Sequence, residues 1–182
     1  MNKISYVKKS IITALCIALC VVLPMAFHSI QNAGSIFLPM HIPVLLCGLI
    51  CGWSFGLLCG IAGPLVSSLV TGMPPMAYLP GMMIELAVYG FTAGLVIQMV
   101  HTKKVYVDLY AALFAAMIAG RLAAGIARAL IFTPGKYSMA AWISSYFITG
   151  FPGIVIQIIL LPNIVFALEK ARLIPARYRK ER

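Results

Sequence analysis

The sequence predicts an all-α integral membrane protein, a bundle of six transmembrane helices with both termini in the cytoplasm. Of its 182 residues, 62% are hydrophobic and only 10% are charged, and the mean hydropathy is +1.00. Soluble domains are about half apolar and about a quarter charged, and a chain this apolar has too little polar surface to face water. We therefore expect lipid to be the solvent of a single membrane domain, residues 1–182.

Six apolar runs predict the spans, because a bilayer core of about 30 Å requires about 20 helical residues. The predicted spans are residues 10–27, 39–52, 55–71, 81–100, 107–132 and 139–168. We expect Pro152 and Pro162 to bend the sixth span. The first run is predicted to be a retained helix rather than a signal peptide, since five further spans follow it.

The positive charges predict the orientation of the bundle. They form an N-terminal, a central and a C-terminal group, which six spans place on one side of the membrane. These groups are Lys3, Lys8 and Lys9; Lys103 and Lys104; and Lys170, Arg172, Arg177, Arg179, Lys180 and Arg182. Lys136 is the only loop lysine expected on the other side. Cytoplasmic loops are enriched in Lys and Arg, so we assign the net charge of +10 to the membrane surface and expect no nucleic-acid partner.

Small residues predict close helix packing in two places. Gly48, Gly52, Gly56 and Gly60 recur every four residues through the turn between the second and third spans. Such spacing lets helix backbones approach closely in lipid. In the first span, Ala14, Ala18 and Val22 form a smooth stripe, which contacts either other helices of this chain or a partner protein.

The cysteines indicate no metal site. Cys16, Cys20, Cys47, Cys51 and Cys59 all lie in apolar runs, without the spacing or the histidines of a zinc site. We interpret them as buried small hydrophobic residues. We expect neither a metal ion nor another cofactor.

Three charged residues lie inside predicted spans and away from their inner ends, where a charge is costly. Glu85 and Arg128 are predicted at similar depth in the outer half, and Arg121 near mid-depth on the face of Arg128. One interpretation is a structural ion pair between Glu85 and Arg128; the other is that Arg128, and with it Arg121, receives an anionic ligand. The remaining acidic residues, Asp108, Glu169 and Glu181, are predicted at inner ends where water is available.

Further polar side chains are predicted at the outer ends of the spans, beside a rigid loop, residues 72–80, that contains three prolines. The candidate ligand contacts among them are Gln31, Asn32, His41, Tyr78 and Tyr146. Together with Glu85, Arg121 and Arg128 they suit a small polar ligand in an apolar pocket. Gln157, deeper in the sixth span, is interpreted as a helix–helix hydrogen bond.

The sequence lacks the motifs of catalysis. It contains no P-loop, no HExxH and no paired carboxylates or serine–histidine constellation. We therefore predict that the chain is not an enzyme and does not hydrolyse ATP itself. An intramembrane enzyme would need an acid or a nucleophile near the pocket, and only Glu85 and a few serines or cysteines are candidates. A self-sufficient facilitator or channel for small solutes is an alternative.

Four features in order resemble the substrate-binding S component of an energy-coupling factor (ECF) vitamin transporter. They are the Ala14–x–x–x–Ala18 stripe, the stretch Leu38-Pro-Met-His-Ile-Pro43, the glycine series from Gly48 to Gly60, and Gly72-Met-Pro-Pro75 before the fourth span. Chain length and the number of spans agree with this family.

The resemblance implies a high-affinity binding subunit of an ATP-driven micronutrient importer. Its ligand would lie in a pocket near the outer face, under a lid formed by the first outer loop. Ala14 and Ala18 match the motif that docks on a transmembrane coupling protein, the T component, which two ATPase subunits drive. The Gly-Met-Pro-Pro stretch is similar to members assigned to pantothenate. Cobalamin, a pyrimidine or thiamine precursor and a queuosine precursor remain alternatives.

Overall fold

The computed structural model describes residues 4–27, 32–132 and 138–177. Every regular element in these residues is helical, as predicted. The α-helices are α1 Tyr6–Ala26, α2 Ala33–Phe37, α3 His41–Cys51, α4 Trp53–Thr71, α5 Leu79–Met99, α6 Val105–Ala127, α7 Met139–Ile143 and α8 Phe151–Lys170. The first π-helix, Arg128–Phe132, continues α6, and the second, Ser144–Thr149, continues α7.

Six stretches of the described residues are long and apolar enough to cross a membrane, which confirms the predicted number of spans. They are Tyr6–Ala26, Gly34–Cys51, Trp53–Thr71, Leu79–Met99, Val105–Phe132 and Phe151–Lys170. The start of α1 and the end of α8 lie next to each other, because residues from both segments line one surface depression. We call this end of the bundle the proximal end. The distal end carries α2, the α4–α5 loop and the two π-helices.

The predicted first outer loop, residues 28–37, contains regular structure. Its second half is the short helix α2, and Leu38, in the left-handed region at φ 51°, separates α2 from α3. The backbone N–H of His41 then donates to the Leu38 carbonyl at 3.1 Å. This turn places His41 at the distal start of α3, with its side chain buried.

The predicted sixth span, residues 139–168, is not one bent helix: it contains α7, the second π-helix and most of α8. The second π-helix ends before Gly150, and α8 begins at Phe151, with Pro152 in its first turn. Proline lacks a backbone N–H and clashes with the carbonyl four residues earlier, so it starts helices more readily than it continues them. Pro152 therefore marks a new start, whereas Pro162 lies inside α8.

The glycine series brings three helices into backbone contact. A Cβ added to Gly56 would lie 2.2 Å from the Gly90 carbonyl oxygen, and one added to Gly60 would lie 2.3 Å from that of Leu86. A Cβ on Gly48 would lie 2.5 Å from the same Gly90 oxygen. The predicted close packing is confirmed. Gly48 and Gly56 both pack against Gly90, a glycine of α5.

All five cysteines are buried, as predicted. They come from α1, α3 and α4, and Cys47 Sγ of α3 donates to the Phe55 carbonyl of α4 at 3.4 Å. Thr13 Oγ1 lies 3.4 Å from Cys47 Sγ. These thiols form the contact between α1 and the pair α3–α4. Among the described residues, no group of three or more His, Cys, Asp or Glu side chains is arranged to hold a metal ion.

The proximal end is closed by an ion pair that the sequence did not predict. Asp108 was expected to face water, but it is 0% exposed. Arg177 Nε donates to Asp108 Oδ2 at 2.7 Å, and Arg177 Nη2 donates to the carbonyls of Ile97 and Val100 at the end of α5. Thr102 Oγ1 donates to Asp108 Oδ1 at 2.6 Å. The C-terminal segment is thereby joined to the α5–α6 loop.

Candidate functional site

A group of buried polar side chains lies between the middle of the bundle and its distal end. The members, which we call the polar cluster, come from four elements: His41 of α3, Glu85 and Tyr89 of α5, Arg121 of α6 and Trp142 of α7. His41, Glu85, Tyr89 and Arg121 are buried, and Trp142 is half-buried. In a membrane protein, buried ionisable groups away from the helix ends indicate a functional site.

Glu85 interacts with His41 and not, as one interpretation supposed, with Arg128. Glu85 Oε1 lies 3.4 Å from His41 Nε2. The His41 ring also packs edge-on against Tyr89, with 5.0 Å between ring centroids. Tyr89 follows Glu85 by one helical turn and lies on the same face of α5. This interaction joins α3 to α5 at the distal end.

Arg121 is the member of the polar cluster whose burial should cost the most free energy. It is 3% exposed, and within the described part of the chain its Nε and Nη2 atoms have no hydrogen-bond partner. Its guanidinium carbon lies 5.2 Å from the centroid of the Phe147 ring, a favourable cation–π contact. A charged side chain at the centre of a bilayer costs about 2.5–3.5 kcal/mol on insertion scales. The ring contact covers one face of the guanidinium and leaves the edge unsatisfied.

Three further buried polar atoms of the cluster are unsatisfied among the described residues: Tyr89 Oη, His41 Nδ1 and Trp142 Nε1. Tyr89 packs against His41 and against Gly120, the residue before Arg121 in α6, so these groups share one region. Leaving a buried polar group without a partner costs about 1–3 kcal/mol. Several such groups in one place indicate a missing hydrogen-bonding partner, such as a ligand.

Glycines let the aromatic members of the cluster approach α6. A Cβ added to Gly120 would lie 2.5 Å from the Tyr89 ring, and one added to Gly125 would lie 2.7 Å from Trp142 Nε1. Both glycines are in α6, on either side of Arg121 in the sequence. These two glycines therefore leave room for aromatic side chains beside α6.

Arg128 lies nearer the distal end and is half-buried. Its guanidinium carbon is 6.0 Å from the centroid of the Tyr146 ring, and it makes further contacts. Arg121 and Arg128 thus pack against neighbouring aromatic residues of the second π-helix. π-Helical turns occur frequently at functional sites.

The remaining candidate contacts are not part of the buried cluster. Asn32, at φ 60°, precedes α2 and is exposed. Tyr78 is 59% exposed beside the start of α5. Gln31 lies outside the described residues. The structure thus brings His41, Glu85, Arg121 and Tyr146 of the candidate residues into one region and leaves Asn32 and Tyr78 at the distal surface.

Two residues outside the candidate set need comment. Gln157 was interpreted as a helix–helix hydrogen bond, but its buried amide has no partner among the described residues, so that interpretation was wrong. Tyr89 was not identified from the sequence. Its position four residues after Glu85 was the available signal, because this spacing puts both on one helix face.

The small-residue stripe of α1 faces away from the bundle. Ala14, Ala18 and Val22 are exposed, whereas Thr13, Cys16 and Cys20 on the other face are buried. Among the six spans, α1 buries the smallest share of its length. The sequence predicted that the stripe contacts either other helices of this chain or a partner protein. The described helices of this chain do not cover it.

Comparison with known proteins agrees with these features. Residues 8–165 match the family model described as ECF transporter, substrate-specific component. Neither the search of curated proteins nor the search of solved structures finds a match. Because the family model covers well over half of the chain, this multi-pass membrane protein belongs to the substrate-specific components of ECF transporters.

Proposed function

We propose that this chain captures a small vitamin-like solute in the polar cluster and delivers it by docking on a transmembrane coupling protein. The observation that supports capture most directly is Arg121, whose buried Nε and Nη2 have no partner in the described part of the chain. A ligand that accepts hydrogen bonds would satisfy these atoms together with those of Tyr89 and Trp142. The proposal assigns no catalytic step to the chain.

The exposed stripe of α1 supports the docking half of the proposal. Ala14 and Ala18 present no large side chain, so a partner helix can approach the α1 backbone closely. The opposite face holds α1 on α3 through Thr13 and Cys47, and on α4 through Cys20, which lies beside Gly63. We propose that the T component binds this stripe, and that two ATPase subunits bound to the T component supply the energy.

Pantothenate is the substrate that we propose to test first. It is a small anion with hydroxyl and amide groups, and the polar cluster contains a cation, hydrogen-bond donors and aromatic walls. The Gly72-Met-Pro-Pro75 stretch, which resembles members assigned to pantothenate, forms the α4–α5 loop at the distal end.

The experiment separates capture from delivery. Ala14→Trp/Ala18→Trp should abolish ATP-dependent uptake by cells that express the T component and the ATPases, because indole rings would hold the partner helix away. The same variant, once purified, should bind its solute with unchanged affinity in isothermal titration calorimetry, since the stripe is remote from the polar cluster.

Ala167→Trp is the matched control, because Ala167 is also exposed but lies on α8. It should leave uptake near the wild-type rate. Wild-type uptake by the double variant would contradict docking at this stripe. Loss of solute binding by that variant would show that the stripe and the cluster are not independent.

A further inference from the structure

We infer that the transported solute carries a single negative charge, a carboxylate, and that Arg121 rather than Arg128 holds it. This inference rests on the proposed function and deepens it, because it fixes the charge class of the solute whether or not the solute is pantothenate. The sequence analysis named Arg128 first as the residue that receives an anionic ligand, and the structure favours Arg121 instead.

The first step is the balance of charge around Arg121. The sequence has four acidic residues, and the three in the described part of the chain are engaged elsewhere. Glu85 interacts with His41, Asp108 pairs with Arg177, and Glu169 Oε1 accepts the backbone N–H of Arg177. The described residues therefore provide no carboxylate that pairs with Arg121.

The second step is the geometry of the unsatisfied edge. In a guanidinium group, Nε and one terminal nitrogen direct parallel N–H bonds to the same side, which is the arrangement that binds a carboxylate through both oxygens. The unsatisfied atoms of Arg121 are Nε and Nη2. Phe147 lies over the guanidinium at 5.2 Å, so the ring approach leaves this edge available to a planar anion.

The third step concerns the number of charges. A neutral solute would leave the Arg121 charge without a counter-ion in a site remote from water, where charges interact strongly. A dianion would pair one charge with Arg121 and bury its second charge without a cation, because His41 is already engaged by Glu85. A monoanion balances the site. Tyr89 Oη and Trp142 Nε1 then remain as hydrogen-bonding groups for the uncharged part of the solute.

The fourth step distinguishes the two arginines. Arg128 is half-buried, contacts Tyr146 and has further interactions. A partly exposed cation near the mouth of a site attracts anions from solution and raises the association rate more than the affinity. Arg121, which is buried, governs the lifetime of the bound state. The two residues should therefore differ in which rate constant they change.

The test begins with the whole chain purified from cells grown in rich medium, followed by mass spectrometry of the bound small molecules. We expect a solute with one acidic group that ionises fully at neutral pH. It should co-purify in wild-type amount with Arg172→Gln, the control at the proximal end, in reduced amount with Arg128→Gln, and not with Arg121→Gln. A bound solute that is neutral, cationic or doubly charged would overturn the inference while leaving the proposed function intact.

A second measurement compares two probes on the wild-type protein, and this comparison does not depend on any variant folding. Pantothenate and its alcohol analogue pantothenol share the neutral part and differ in the carboxylate, so they form a matched pair of probes. We expect the alcohol to bind wild-type protein about 100-fold more weakly, the usual effect of a charge-assisted hydrogen-bonded pair. Arg121→Gln, checked for a monodisperse elution profile, should bind both probes with the same low affinity.

The outcomes are distinguishable. Equal affinity of the two probes for wild-type protein, or retention of the co-purified solute by Arg121→Gln, would overturn the role of Arg121. If neither probe binds, the co-purified solute and its neutral amide replace them, with the same expectations. If wild-type protein binds no solute and supports no uptake with its partners, the proposed function fails, and this inference fails with it.

Discussion

At the scale of single residues, the polar cluster contains both predictable and unpredictable members. Arg121 and Glu85 attract attention in any apolar span, because charges in lipid are costly and rare. Their partners do not follow from the sequence. Glu85 and Arg128 have similar predicted depth, yet the structure pairs Glu85 with His41, since depth along a helix does not fix the direction in which a side chain points.

The partner of Asp108, at the proximal end, could not be predicted from the sequence either. A position near a helix end suggests contact with water, but Arg177, 69 residues later, covers this carboxylate. Contacts between such distant positions depend on how the C-terminal segment folds back. No local pattern in the sequence encodes that path.

Arg177→Ala tests this ion pair. The substitution would leave Asp108 buried with its main cation removed, and breaking a buried pair costs about 3–5 kcal/mol. We expect a lower temperature of thermal unfolding in detergent. Arg172→Ala, which removes an exposed cation five residues earlier, should unfold close to the wild-type temperature. Equal stability of the two variants would contradict a structural role for the Arg177–Asp108 pair.

At the scale of helices, the number and approximate bounds of the first five spans were predictable. Apolar length decides them, and the observed helices differ from the predicted ranges by a few residues. The predicted bounds of the sixth span were wrong, because the apolar run continues across Gly150 and Pro152 whereas the helix does not. The π-helices could not be predicted from the sequence either, because an extra residue in a helical turn does not change the composition.

The glycine contact between α4 and α5 yields a prediction at this scale. A Cβ on Gly90 would lie 2.1 Å from the Gly56 carbonyl oxygen, so Gly90→Ala must push the two helices apart. Overpacking of this kind costs about 1–3 kcal/mol. Thermal unfolding in detergent should show a clear loss of stability.

Gly34→Ala is the control for that substitution, because nothing lies within 4 Å of the added Cβ. It should be as stable as the wild type, or slightly more stable, since alanine favours helix more than glycine does. If Gly90→Ala unfolded at the wild-type temperature, the close contact of α4 and α5 would not be important for the fold.

At the scale of the whole molecule, the two ends of the bundle differ in chemistry. The distal half contains the polar cluster. The proximal end carries Lys8, Lys103, Lys104, Lys170 and Arg172, all exposed. Membrane proteins retain such charge on the cytoplasmic side, so we propose that the proximal end is cytoplasmic and that the solute enters from outside.

A reporter experiment tests this orientation. A fluorescent protein that folds only in the cytoplasm, fused after Arg182, should fluoresce, and alkaline phosphatase fused at the same position should be inactive. The opposite pair of results would place the C-terminus outside and would invert the proposed direction of import.

The central claim is a division of labour, in which this chain binds the solute and other subunits provide the energy. The most direct measurement compares solute movement into sealed vesicles that contain either the chain alone or the chain with its T component, ATPases and ATP. We predict that the chain alone binds solute without steady flux, and that the full set accumulates it. Steady flux through the chain alone would contradict the account and identify a self-sufficient facilitator.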